Sequence, residues 1–263
     1  MPTYLKLGGS LITDKNIPRS ADRLTIERLA HEIAAAWQEN PFELILGHGS
    51  GSYGHVPARQ YGTRQGVKTQ EQWRGFVEVW RQARDLNEIV LNACYQAGLP
   101  VISFPPSTFI QSAGGAAERV FSETITAALK NGLLPVVHGD VIFDSMRGGT
   151  IFSTEDVFVA LAKLFPPERI LLCGQEVGVW ADFPACTQLI DTITPAVFQK
   201  IKAGLHGSAG IDITGGMEEK VKLMLELTER FPQMSAAIFS GIPIDNLAHA
   251  LKGEKVGTMI RRT

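Results

Sequence analysis

Short apolar, β-branched runs alternate along this chain with longer stretches whose apolar residues return every three or four positions. That pattern predicts parallel strands joined by helices. Strands are expected at Thr3–Gly8, Phe42–His48, Pro100–Phe104, Leu133–Gly139, Arg169–Cys173, Ser235–Ser240 and Val256–Ile260. Ile26, Leu29, Ile33 and Trp37 share one helix face, and Trp73, Phe76, Val77, Trp80 and Ala83 open a longer helix. Further helices are expected at Glu155–Leu164 and Gly216–Arg230. Val141–Asp144 and Gly149–Phe152 flank Ser-Met-Arg-Gly and read as an antiparallel hairpin attached to the sheet. The fold class is therefore α/β. Pro166 and Pro167 break the chain between a helix and a strand, which divides it into lobes 1–165 and 166–263 of one unit.

Composition narrows the function. A chain of 263 residues, 44% hydrophobic and 20% charged, can bury the core of one large α/β domain or two lobes. Lys plus Arg number 25 against 27 Asp plus Glu, so no global positive field exists for nucleic acid or an anionic membrane. Cys94, Cys173 and Cys186 have neither zinc nor disulfide spacing and suggest a reducing, cytoplasmic setting. No apolar run approaches the roughly 20 residues of a membrane span, and the Thr-Tyr-Leu-Lys-Leu-Gly start reads as a strand without a signal-peptide core. Glycine is the informative excess: 26 residues, clustered beside apolar runs, as expected where backbone amides face a ligand.

Gly49-Ser-Gly51-Ser-Tyr-Gly54 matches the G-x-G-x-x-G dinucleotide fingerprint, but Pro57 and Gly62 spoil an immediate long helix and Glu71 lies in a helix rather than at a second strand's end. The protein-kinase glycine loop is also matched, without its H-R-D, D-F-G or V-A-I-K partners, and a Walker loop is absent. Three glycine sites taken together are more telling. Lys6-Leu-Gly8-Gly9-Ser10, Gly47 to His55, and Asp212-Ile-Thr-Gly215-Gly216 with Lys220 each lie where a strand or loop meets a helix or turn. Such loops bring amide donors close to an anion, and Lys6, Lys15 and Lys220 add compact charge. Phosphoryl transfer needs this neutralisation rather than covalent chemistry by the protein. The constellation predicts a kinase without a Walker loop.

The ordered set resembles the amino acid kinase superfamily and, within it, the isopentenyl phosphate kinases. Lys6 to Lys15, the loop closing at His55, Pro105 to Phe109, Pro135 to Asp140 and Asp212 to Met217 carry the resemblance over nearly the whole chain. It implies a three-layer αβα sandwich with an open, mainly parallel central sheet, acceptor on the amino-terminal lobe and nucleotide on the carboxy-terminal lobe. It implies transfer of the γ-phosphate of ATP, with Mg²⁺, to isopentenyl phosphate in isoprenoid biosynthesis, by a homodimer. No metal ligands are assigned to the protein. By the same resemblance Lys6, Gly8, Gly9, Ser10, Gly51, Gln175, Gly215, Gly216 and Lys220 would meet ATP, and Lys15 the transferring group. His55, with Ser50, Gly54 and Thr154, would grip the acceptor phosphate, and Phe76 and Val79 would line an apolar slot for its tail.

Some positions depart from the family pattern. A glycine triplet reads Gly49-Ser50-Gly51, and Ser-Gly-Asp-Asp reads Ser153-Thr154-Glu155-Asp156, which leaves Glu155 to orient the lysines. Thr-Asp-Val-Asp-Gly becomes Gly174-Gln175-Glu176-Val177-Gly178. Ordinary structural readings compete too. Lys220 fits a helix surface, His55 a turn cap, Phe76 and Val79 a core, and Asp140 either an indirect Mg²⁺ contact or a cap. His48 and His138 fit satisfied interior residues and are not counted as catalytic. The alternatives are a phosphonate kinase of the fosfomycin type and a noncatalytic ligand-binding protein on the same fold.

Overall fold

The computed structural model describes residues 1–14, 16–201 and 216–263. Their elements in chain order begin with β1 (Thr3–Leu7), α1 (Gly9–Ile12), α2 (Arg23–Glu39), β2 (Leu44–His48), α3 (His55–Gln60) and α4 (Gln70–Gln96). Next come β3 (Val101–Ser103), α5 (Pro106–Phe109), β4 (Ile110–Ala113), β5 (Ala116–Val120), α6 (Glu123–Lys130), β6 (Leu134–His138), β7 (Asp140–Asp144) and β8 (Gly148–Phe152). The chain continues with α7 (Thr154–Ala162), β9 (Arg169–Gly174), β10 (Thr192–Ile193), α8 (Pro195–Ile201), α9 (Gly216–Arg230), β11 (Ser235–Ser240), α10 (Asn246–Leu251) and β12 (Thr258–Ile260).

The main sheet runs β10-β12-β11-β9-β1-β2-β6-β3 and is parallel except for the β11–β12 pair. Both of its faces are covered, so its strands are nearly continuous apolar runs. Leu5, Leu7, Leu44, Leu46 and Val136 pack on one face against Ile26, Leu29 and Ile33 of α2, Leu86 and Val90 of α4, and Leu247 of α10. Tyr4, Ile45, Val137, Ile170 and Leu172 pack on the other against Ile125 of α6, Phe158 of α7 and Met224 of α9. This is the expected three-layer α/β sandwich. The sheet passes without a break through the chain's Pro166-Pro167 junction, because β1 pairs with β2 on one side and β9 on the other.

The hairpin forms in register, Asp140 opposite Phe152 and Asp144 opposite Gly148. It does not attach to the main sheet, however, but joins β4 and β5 in a second one, ordered β5-β4-β7-β8. Gly139 alone separates β6 from β7, so the chain leaves one sheet for the other there. β4, β5, β10 and the short helices escape the sequence pattern; β5 is largely exposed and offers no apolar alternation.

Candidate active site

Ligands of open parallel sheets bind beyond the carboxyl ends of the strands, where the order reverses. With β1 at the centre, the loops after β1, β2, β6 and β9 meet at that edge. The first two touch backbone to backbone. Gly49 N–H donates to Leu7 O (2.9 Å) and Gly8 N–H to Cys173 O (2.7 Å). A Cβ on Gly9 would sit 2.6 Å from Gly51 Cα, and Gly51, at φ +54°, would strike Gly9 O at the same distance. Side chains are excluded at both positions by space, and at Gly51 also by conformation. Thr13 locks the contact: its hydroxyl donates to Gly9 O (2.7 Å) and accepts from Ser52 N–H (2.9 Å). Ser50 donates to Gly139 O (2.9 Å), tying the loop to the turn after β6.

Beneath these loops Lys6 projects from β1 on the Tyr4 face, and its Nζ pairs with Glu155 Oε2. Their side chains are only 12% and 6% exposed. Glu155 is held there by a capping box: Ser153 Oγ accepts from Asp156 N–H (3.1 Å) and Asp156 Oδ2 accepts from Ser153 N–H (2.8 Å), which starts α7 beside the sheet. Burial opposes the Glu155 charge, but the Lys6 ammonium and then the Lys220 charge from α9 outweigh it and hold the carboxyl below its ordinary range. Lys6, Glu155 and Lys220 thus form one electrostatic unit drawn from three elements.

Gly54 (φ +78°) ends the second loop, its N–H donating to Gln82 Oε1 (2.8 Å), and His55 opens α3, partly exposed. Val79 of α4 abuts Gly54. From there Val79 and Phe76, both buried, run into an apolar cluster with Val67 and Val141, flanked by Trp73, Trp80 and Ile151. An imidazole and an apolar region are therefore neighbours across Gly54.

The other predicted positions are distributed around this centre. Gly8 and Ser10 lie in and just after the first loop, Gly216 opens α9, and Gln175 is exposed in the loop after β9, its carbonyl accepting from Ser240 Oγ (2.9 Å). Thr154 is buried, and its hydroxyl donates to His48 O (2.7 Å), so its side chain braces the loop from below. Lys15 and Gly215, with the rest of the Asp212–Gly215 run, lie outside the described residues.

His48 and His138, expected as interior residues and left out of the catalytic set, are indeed buried, and they form a polar group beneath the second loop. His48 Nε2 lies 3.1 Å from Asn87 Oδ1 and Nδ1 3.2 Å from Gly49 O, while the ring stacks on His138 at 5.2 Å between centroids. Burial, reinforced by His138, draws the His48 imidazole down to about 3, so it is neutral at neutral pH. His138 departs from the satisfied interior residue expected: neither ring nitrogen makes a hydrogen bond among the described residues, and Nε2 faces Asp140 Oδ2 at 3.5 Å. Burial raises the Asp140 carboxyl against that histidine. The signal was present in the sequence, since each histidine ends a strand immediately before a glycine; their adjacency needed the β2–β6 register.

The sequence pattern of the amino acid kinase family matches residues 2–240. Over 99% of its length the chain is 33% identical to the isopentenyl phosphate kinase of Methanocaldococcus jannaschii, covering 98% of that protein. It is 34% identical to the isopentenyl phosphate kinase of Methanothermobacter thermautotrophicus, over 97% of each chain. Among solved structures, an isopentenyl phosphate kinase superposes with a TM-score of 0.82 at 30% identity, over 99% of this chain and 100% of that one.

Proposed function

Since this chain belongs to the amino acid kinase family, and within it to the isopentenyl phosphate kinases, we propose that it phosphorylates isopentenyl phosphate at the expense of ATP, giving isopentenyl diphosphate and ADP. An oxygen of the acceptor phosphate attacks the γ-phosphorus as the bond from that phosphorus to the β–γ bridging oxygen breaks. The electron pair of that bond leaves with ADP. Little covalent chemistry falls to the protein, whose work is positioning and charge neutralisation. The observation that carries this reading is the Lys6–Glu155 pair, with Lys220 in its field, under two abutting glycine loops.

In this reading Lys6 and Lys220 meet the charge that develops on the transferring group, and Glu155 holds both lysines in place. The amides of Gly8, Gly9, Ser10 and Gly51 line the phosphates, with Gln175, Gly215 and Gly216 on the nucleotide side. Lys15 adds a further cation at the transferring group. His55 donates to the acceptor phosphate, with Gly54, Ser50 and Thr154 shaping the same loop, while Phe76 and Val79 receive the tail. Lobe 1–165 takes the acceptor and lobe 166–263 the nucleotide. An apolar cluster this close to His55 favours a hydrocarbon tail over a small polar phosphonate.

Among the described residues no group of three or more His, Cys, Asp or Glu could hold a metal ion. The donors among these described residues fit no all-protein Mg²⁺ cage, and the Mg²⁺ in this proposal enters on the phosphates of ATP as part of the substrate. No helix among the described residues is long and apolar enough to cross a membrane. A homodimer, a cytoplasmic location and a role in isoprenoid biosynthesis complete the proposal; sedimentation of the purified chain checks the first. The direct test is ADP formation with isopentenyl phosphate, fosfomycin and N-acetylglutamate offered separately. Turnover selective for isopentenyl phosphate is expected, and no turnover with it overturns the reading.

A further inference from the structure

The two glycines that open β8 lack side chains for different reasons. Gly148 has φ +77°, and a Cβ there would collide with Val67 O, so backbone conformation and close approach both demand glycine. Gly149 is not among the glycines with positive φ, so its backbone suits any residue. It lies opposite Phe143 in the hairpin register, a place where strands ordinarily use a β-branched or aromatic residue. A glycine inside a strand marks a point of close approach, and here the approaching group is a ring. A Cβ on Gly149 would lie 2.8 Å from Cε2 and 2.9 Å from Cδ2 of Phe76, and 3.3 Å from Val67 Cγ2. The Phe76 ring is bounded elsewhere by Trp73, edge-on at 5.1 Å between centroids, and by Phe143 at 5.3 Å.

We propose that Gly149 determines acceptor specificity: it leaves space against β8 for the Phe76 ring and so keeps the ring out of the volume the tail occupies. This rests on the reading of Phe76 and Val79 as the tail slot. A methyl group at position 149 pushes the ring off β8. With Trp73 and Phe143 in place, the ring yields along its own helix face toward Val79, which abuts Gly54 beside His55. The slot shortens, while the Lys6–Glu155 pair and the glycine loops stay where they are.

The test measures kcat/KM for ethyl, butyl, isopentenyl and decyl phosphate at saturating ATP, in the wild type, Gly149→Ala, Phe76→Leu and the double variant. The quantity read is the ratio for the longest accepted acceptor to that for ethyl phosphate. Hydrophobic pockets discriminate one methylene by roughly 10- to 200-fold, so Gly149→Ala should lower the ratio about tenfold or more with the KM for ATP unchanged. Once Phe76→Leu has removed the ring, the same substitution should have little effect. An unchanged ratio in folded Gly149→Ala, or an equal fall with and without the ring, overturns the inference and leaves the kinase reading intact. If Gly149→Ala does not fold, restoration of its thermal transition by Phe76→Leu supports the collision and lack of restoration refutes it. A wild type inactive on every alkyl phosphate overturns the kinase reading, and this inference with it.

Discussion

The phosphate end and the tail end of this site are built from opposite materials. At the phosphate end the determinants are backbone and charge: Gly9 and Gly51 in contact, and Lys6 paired with Glu155 in Lys220's field. Across Gly54 the determinants are volumes, those of Val67, Phe76, Val79 and Val141. Electrostatics in a low-dielectric site depend steeply on having every partner present, whereas apolar contacts add in small increments. The first region should therefore fail abruptly when altered and the second gradually.

The sharpest way to break that contrast is at the ion pair. Lys6→Met should cut turnover roughly 10²- to 10³-fold, the usual cost of removing one donor aimed at transition-state charge. It should also destabilise the fold, because a buried pair broken on one side typically costs about 3–5 kcal/mol. Adding Glu155→Gln should restore much of the melting temperature and none of the turnover. Thermal unfolding and steady-state kinetics on the three variants separate the two effects, and a double variant that regains activity would refute the clamp.

His55 stands at the junction. His55→Ala should lower acceptor kcat/KM about ten- to hundredfold, the worth of one charge-assisted hydrogen bond, with ATP binding nearly untouched. His55→Gln, which keeps a donor, should retain part of the activity. Loss confined to the ATP side would remove His55 from acceptor recognition.

Smaller still are the changes expected in the slot. Val79→Ala, or Phe76→Leu, should shift the preferred chain length by about 1–3 kcal/mol in relative kcat/KM and leave the KM for ATP alone. An alkyl-phosphate profile identical to wild type in folded variants would return both residues to the core.

Buried titratable groups also make the stability of the fold depend on pH. Folded His48 titrates near 3 because it is buried, against about 6.5 when unfolded. The unfolded chain therefore binds this proton first, and stability falls as pH drops from about 6.5 toward 3. Glu155, held below its ordinary range, begins to lose its contribution once pH falls below about 4.3, where the unfolded carboxyl takes up its proton. Denaturant titrations of His48→Asn should show a flatter stability profile in the upper window, and those of Glu155→Gln in the lower one.

How far such features could be read in advance varied with their range along the chain. Main-sheet strands such as Thr3–Leu7 and Ser235–Ser240 were legible because two covered faces require unbroken apolar runs. The long helix beginning near Trp73 was legible from its apolar face. The hairpin was also visible, yet its attachment was not, since the single Gly139 between β6 and β7 does not encode which sheet follows. Glu155 stood out only as a substitute in a family pattern; its pairing with Lys6 depends on where Ser153 caps α7 beside β1.

Chemistry within a few neighbouring residues is enough to specify the alternation of strands and helices, the glycine loops at strand ends and a lysine inside an apolar strand. Which groups meet is a matter of how the elements pack: Gly9 with Gly51, Lys6 with Glu155, His48 over His138, and Gly149 beneath Phe76. Those contacts join residues from different elements, so they are set by strand order, register and helix placement, which local spacing does not specify.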